Sequence, residues 1–492
     1  MSTRDLLVMG LYLASLPLLT LWMAGRQKTA RSYLGGGHDL PWWGICLSLV
    51  ATETSTLTVV SVPGVAFRHG MVFVGLAAGY LLGRCLVAWL LLPRYVAGHM
   101  HTPYQFLGQR FGATVQRAVS LTFLVTRVIG EAVRLLAGTL PLAMLLAAFH
   151  LPHGPLAIMG ALMALTLLYT VFGGLKAVIW SDVIQFCTYL LGAILCAAIL
   201  WHGLPPGTVA DLARAGRFHL FDHGTALLAD PFAPASALAG GAVLAMASHG
   251  TDHLMVQRLL AARSLRDARL ALVASALVVG LLFAALSLLG ILLSAAPAAG
   301  AAGPSPYPSL RGDDIFPYYI VHGAPAGLSG LLVAGILSAT MGSLSSTLNA
   351  LTSAAMTDFP AQCRRVARAT GLGDLSLARW LTCAWAALLI AVAQSFGQGA
   401  TSLVVFGLSV GAYAYGPMLG AFLFGLFAPR ADGRAVLAAY GATLAAMGLV
   451  ELWVRPGGHA LAFTWIVPLG VVLFSGFGLL ASGCRRFRRA VT

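Results

Sequence analysis

The chain has 492 residues, of which 59% are hydrophobic and only 9% charged, and its formal net charge is +14. A soluble globular chain carries about a quarter charged residues, so the composition excludes an ordinary soluble enzyme or binding module. The apolar runs are near 20 residues long, too long for barrel strands, so the expected fold class is an all-α integral membrane protein with the lipid bilayer as its medium.

Hydropathy predicts about thirteen transmembrane helices, near 4–25, 41–67, 71–93, 118–149, 155–173, 176–201, 236–257, 268–294, 326–356, 379–398, 401–428, 433–453 and 460–482. The first lacks a basic leader, and its positive charges (Arg26, Lys28, Arg31) follow it. That pattern reads as a retained helix with the N-terminus outside, not as a signal peptide. With this orientation roughly 21 Lys and Arg fall in inside segments and about 6 outside, the positive-inside bias. The bias accounts for the net charge without nucleic acid and places the C-terminus in the cytoplasm. Seven cysteines without a CxxC pair suggest neither a disulfide framework nor a metal cluster.

Polar groups inside the spans carry the functional information, because charge in a bilayer is costly. The second span reads Ala51-Thr-Glu-Thr-Ser-Thr-Leu-Thr-Val-Val-Ser-Val-Pro-Gly64. Pro63 removes a helical hydrogen bond, so a kink or break is expected there. Either this is a Ser/Thr-rich packing helix, or a broken helix whose oxygens hold a cation, with Glu53, Thr56 and Ser61 beside it. The span near 118–149 carries Arg127, Glu131 and Arg134 on one face. Glu131 can neutralise one arginine, which leaves one positive charge over. The readings are a structural charge network, or an Arg134 that meets an anionic substrate group.

The span near 176–201 holds Asp182 about six residues from its start, roughly 9 Å along a helix. It is either an interfacial acid or a carboxylate on an ion path. The span near 236–257 weakens at Gly250, with His249 and Asp252 close by. His249 can titrate or bond substrate, while Asp252 reads as a helix cap at the water boundary. Arg84 and Glu451 read as structural. The span near 326–356 is crowded with hydroxyls. Helical winding puts Ala339, Gly342, Ser343, Ser346, Ala350 and Ser353 on one small, polar face, and Leu337, Met341, Leu344, Leu348 and Leu351 on a greasy one. Close helix packing and an ion path are both open. No HExxH, GxSxG, Walker A or CxxC pattern is present, so no enzyme chemistry is expected.

Four stretches together resemble the sodium/solute symporters: Ser338-Ala-Thr-Met-Gly-Ser-Leu-Ser-Ser-Thr-Leu-Asn349, Gly173-Gly-Leu-Lys-Ala-Val-Ile-Trp-Ser-Asp-Val-Ile-Gln185, Gly250-Thr-Asp-His-Leu-Met-Val-Gln-Arg-Leu-Leu-Ala-Ala-Arg263 and Gly416-Pro-Met-Leu-Gly-Ala-Phe-Leu-Phe-Gly425. They occur in family order and cover the chain from about residue 30 to 430. The resemblance implies a LeuT-like core of two inverted five-helix repeats, at 41–201 and 236–428. One extra helix precedes it at 4–25 and two follow at 433–482. It also implies a main Na⁺ site of Ala51, Thr54 and Ala339 carbonyls with the Ser343 hydroxyl. At Gly342 many members place a serine, so one hydroxyl is missing. A further Na⁺ position would use Asp182, Ser343, Ser345 and Ser346.

The expected function is secondary-active symport, in which inward Na⁺ movement drives uptake of a small polar organic solute. The charge left over at Arg134 favours a carboxylate-bearing one, such as an organic acid, amino acid or acidic sugar. Glu53, Thr56, Ser61, Glu131, Arg134 and His249 are the substrate or coupling residues of that reading. The alternatives are H⁺ coupling through Glu53 or His249, and a transporter-like sensor. The sensor is disfavoured because only about ten residues follow the last span. The expected location is the inner membrane of a bacterium, and no obligate protein partner is evident.

Overall fold

A computed structural model describes residues 2–25, 27–148, 154–222, 227–296, 307–310, 312–396, 401–428, 431–454 and 461–491. The helices, in chain order, are α1 (Thr3–Ala24), α2 (Ala30–Gly35), α3 (Trp42–Glu53), α4 (Thr56–His69), α5 (Val72–Leu90), α6 (Leu92–Ala97), α7 (Tyr104–Phe111), α8 (Ala113–Ala148), α9 (Pro155–Gly203), α10 (Thr208–Arg214), α11 (Gly241–Gly250), α12 (His253–Leu260), α13 (Leu265–Ala295), α14 (Gly312–His322), α15 (Leu328–Asp358), α16 (Pro360–Thr370), α17 (Asp374–Ser395), α18 (Thr401–Phe427), α19 (Gly433–Val454) and α20 (Phe463–Val491). Among the described residues the only β pairing is a parallel bridge between Leu40 and Ala262.

Nine described helices are long and apolar enough to cross a membrane, ten if α3 and α4 count as one bent span. Three features lower the number against the thirteen expected. The spans expected at 155–173 and 176–201 both lie in α9, which counts once although it is two helical stretches that meet at a non-helical Gly174 (φ 57°, ψ −152°). A side chain there would meet the Tyr33 carbonyl 2.4 Å away, so glycine lets α2 pack onto the turn. α8 carries Arg127, Glu131 and Arg134, and α11 is only 10 residues long.

α15 is the central post. It is buried without interruption from Leu332 to Ala355, enclosed by α1, α3, α8, α9 and α17. The expected division into a polar and a greasy face therefore does not separate a path from lipid, because neighbours cover both sides. Each end is held by a carboxylate. The Asp5 Oδ1 of α1 accepts from the Gly327 N–H at 2.7 Å and the Gly330 N–H at 3.0 Å, satisfying donors that a helix start leaves free. At the other end Asp358 accepts from Thr102 (2.9 Å), Gln116 (2.7 Å) and Ser120 (2.7 Å).

α4 is clamped by glycine contacts with α13 and α14. A Cβ at Gly290 would sit 2.1 Å from the Pro63 oxygen, and one at Gly64 only 1.9 Å from the Gly312 oxygen. Backbone atoms cannot yield as a flexible side chain can. Gly290→Ala is expected to destabilise the fold by about 1–3 kcal/mol, the usual cost of overpacking. A thermal melt in detergent checks this, and an unchanged melting temperature would contradict the close contact.

Candidate ion and substrate site

α3 stops at Glu53, and Thr54 takes an extended conformation (φ −83°, ψ 93°) before α4 leaves at 70°. The last helical bond runs from the Thr54 N–H to the Val50 oxygen at 2.9 Å. The carbonyls of Ala51, Thr52 and Glu53 thus lose their helical partners, as the last turn of any helix does. The break is not at Pro63, which sits inside α4. It falls in the run Thr52-Glu-Thr-Ser-Thr56, whose short polar side chains compete with the helix backbone.

Asp182 of α9 faces this break. Its Oδ2 accepts from Ser48 (2.6 Å) and Thr52 (3.3 Å) of α3 and from Arg258 of α12 (3.1 Å). Arg258 also donates to the Ser48 hydroxyl (2.8 Å), the Leu254 carbonyl (2.5 Å) and the Ser346 hydroxyl. The Asp182 and Arg258 side chains are both 0% exposed. Asp182 Oδ1 has no partner among the described residues, and it lies on the side of Gly342. A Cβ at 342 would stand 3.2 Å from that oxygen and 2.3 Å from the Gln185 Oε1. Gln185, one turn along α9, fills the space a serine would take. Asp182 therefore touches α3 at Thr52 and approaches α15 at Gly342, so the broken end of α3 and the middle of α15 meet around it.

The hydroxyls of α15 divide by what they bond. Ser338, Ser345 and Thr352 donate to carbonyls of their own helix, at 2.9, 3.0 and 2.8 Å, which is packing behaviour. Ser346 serves Arg258, and Thr347 donates to Glu131 at 3.2 Å. Ser343 is buried and donates to no described group, and the Thr54 hydroxyl is buried without a partner. Ser61 is half-buried on α4, and the Thr56 side chain lies outside the described residues.

Four arginines described within the membrane region, counting Arg258, each have a carboxylate partner. Arg84 of α5 bonds Glu53 and the Ser275 hydroxyl (2.5 Å). Arg127 bonds Asp252 and the Tyr415 hydroxyl (3.0 Å), and Tyr415 donates to Asp252 at 2.5 Å. Arg134 bonds Glu131 at 3.2 Å. The positive charge expected to be left over on α8 is therefore absent: its partner comes from the α11–α12 break, which counting along one helix does not see. Asp252 is likewise not at the water boundary. It is buried, and its Oδ1 caps α12 through the Leu254 N–H at 2.9 Å. Glu53 is engaged by Arg84, with His249 Nε2 3.9 Å away, so it is not a free carboxylate beside the break. His249 is buried and bonds Ser248 at 2.9 Å.

Sequence reasoning missed Ser48, Gln185, Tyr415 and the central place of Arg258, which was counted as a loop charge. Its signal was the apolar company of His253-Leu-Met-Val-Gln-Arg-Leu-Leu260, a helix with no face for water.

The model of the sodium:solute symporter family matches residues 33–443. The chain belongs to the sodium:solute symporter family. The human sodium/iodide cotransporter is 27% identical over 89% of this chain and 67% of its own length. The sodium/sialic acid symporter NanT of Aliivibrio fischeri is 26% identical over 92% of this chain and 88% of its own. A solved Na⁺-coupled sialic acid symporter, in a substrate-bound outward-open state, superposes with a TM-score of 0.81 over 98% of both chains at 22% identity, and so shares the LeuT-like fold. The symporter couples Na⁺ to the movement of a small solute across the membrane it spans. Na⁺ is a hard cation that takes oxygen ligands. The freed carbonyls at the end of α3 and the Ser343 hydroxyl are oxygens of that kind, and in this respect the symporter's residues fit its ion.

Proposed function

We propose that Na⁺ enters between the broken end of α3 and the middle of α15, held by the carbonyls of Ala51, Thr54 and Ala339 and the hydroxyl of Ser343, and drives uptake of a small organic anion. The observation that carries the ion site is the contrast on α15: Ser338 and Ser345 bond carbonyls of their own helix, Ser346 and Thr347 bond charged side chains, and the buried Ser343 donates to no described group. A cation bridging α3 to α15 favours the arrangement in which they are close, and its release favours the other. This is a differential-binding basis for alternating access. Residues 41–201 and 236–428 are read as the two repeats, and each opens on an interrupted helix, α3–α4 and α11–α12.

With the N-terminus outside and the inner membrane as its location, the end bearing α2 faces the cytoplasm. Several contacts support that end as a closed gate. Lys176 bonds Asp39 at 2.5 Å, Arg263 bonds the Asp39 carbonyl at 2.8 Å, and Gln257 bonds the Leu34 carbonyl (2.7 Å) and Asn349 (2.6 Å). The Arg258–Asp182 pair lies behind them.

The substrate class rests on Arg134 and on the relatives. Sialic acid, monocarboxylates and iodide, named for the relatives, are all anions. Arg134 is 32% exposed, more accessible than Arg84, Arg127 and Arg258, and can present its remaining N–H groups to a carboxylate. Glu131, which also accepts from Thr347, holds Arg134 in place, while Glu53, Thr56, Ser61 and His249 are the other residues proposed for substrate or coupling. Purified protein should melt higher with one class of carboxylate, and only when Na⁺ is present. Stabilisation by neutral sugars alone would contradict the anion reading. Ser343→Ala is expected to raise the half-saturating Na⁺ concentration at least tenfold, against about twofold or less for Ser345→Ala, since a lost ligand costs about 1.5–3 kcal/mol. Equal effects on Na⁺-dependent uptake would mean that the α15 hydroxyls serve packing alone.

A further inference from the structure

The resemblance in sequence implies a second Na⁺ position at Asp182, Ser343, Ser345 and Ser346, and in the structure an arginine already sits on Asp182 and Ser346. Asp182 Oδ2 already accepts from Ser48 and Arg258, with a longer, shared contact from Thr52, whose hydroxyl also bonds the Ser48 carbonyl at 2.8 Å. The Ser346 hydroxyl is taken by Arg258 as well. Ser345 turns its hydroxyl back to the Gly342 carbonyl at 3.0 Å. Position 342 has no side chain, and its space holds the Gln185 Oε1. With Ser343 assigned to the first site, that leaves Asp182 Oδ1, the lone pairs of Ser345 and the side-chain amide of Gln185 beside the Arg258 guanidinium, a sparse oxygen set for a hard cation that is stripped of water.

Charge points the same way. Asp182 and Arg258 cancel, so a Na⁺ beside them would leave a net positive charge in a fully buried cluster. Glu53, Glu131 and Asp252 are each engaged by their own arginine. An ion buried without compensation costs several kcal/mol. We infer that Arg258 is a tethered cation occupying the place of a second Na⁺, and that the symporter moves one Na⁺ per cycle. This rests on the sodium reading above. Arg258 ties α12 to α3, α9 and α15, as a bound ion would, but it is anchored to the Leu254 carbonyl and stays with the chain. Its separation from Asp182 opens the path without releasing an ion, so the solute gradient is driven by one Na⁺ and not two.

The test is the number of ions bound. Equilibrium ²²Na⁺ binding to the purified full-length protein in lipid nanodiscs is expected to saturate hyperbolically at one Na⁺ per chain. Ser346→Ala is expected to leave that number unchanged, and Ser343→Ala to weaken binding at least tenfold. Saturation at two Na⁺ per chain would overturn the inference while leaving Na⁺ coupling intact. A single Na⁺ lost in Ser346→Ala but kept in Ser343→Ala would overturn it too, because the ion would then sit at the Asp182 cluster. No bound Na⁺ in the unaltered protein would overturn this inference and the sodium reading together. The wild-type count needs no variant to fold.

Discussion

Asp182→Asn is expected to destabilise the folded symporter by about 3–5 kcal/mol, because it strands a buried guanidinium without its counter-charge. The side chains of Asp182 and Arg258 are both fully buried, and water cannot replace the lost partner. The asparagine also weakens the bonds from Ser48 and Thr52, so α3 loses its attachment to α9 beside the break. Adding Arg258→Gln to the same chain removes the orphaned charge. The double variant is expected to recover a large part of the loss, since groups in one network are not additive. Thermal melts of the two single variants and the double variant form the cycle. A single variant as stable as the wild type would show that this pair does not hold the helices together.

Arg134→Ala is expected to raise the half-saturating concentration of a carboxylate substrate about ten- to 100-fold, the equivalent of one lost charged hydrogen bond at about 1.5–3 kcal/mol. Na⁺ binding by the empty protein should change little, since Arg134 pairs with Glu131 and touches none of the proposed ion ligands. Stability must be followed alongside, because Glu131 is buried and keeps only Thr347 when the arginine is gone. Arg134→Lys keeps the charge but not the planar fork, and should fall between the two. An unchanged substrate affinity in a variant that still folds would place the anion elsewhere.

The helical membrane fold was legible in the sequence because apolar length and Lys/Arg alternation are local properties. The interruptions were only half legible. Gly250 marks the end of α11, but the bend in the second span sits at Thr54 and not at Pro63, since a run of hydroxyls loosened the backbone before the proline was reached. Partners across helices were not legible at all. Arg127 reads as surplus on its own helix and is neutralised by Asp252 from another, and Arg258 reads as a loop charge yet lies at the centre. Gly342 was visible as a departure from the family pattern. Its explanation, the Gln185 side chain lying where a Cβ would be, needed three dimensions.

The most direct measurement is solute uptake into proteoliposomes with Na⁺ and pH gradients imposed separately. Uptake should follow the inward Na⁺ gradient, stay indifferent to a pH gradient alone, and lose most of its Na⁺ dependence in Ser343→Ala. Uptake that ignores Na⁺, or a Ser343→Ala protein with the Na⁺ dependence of the wild type, would contradict an ion site between α3 and α15.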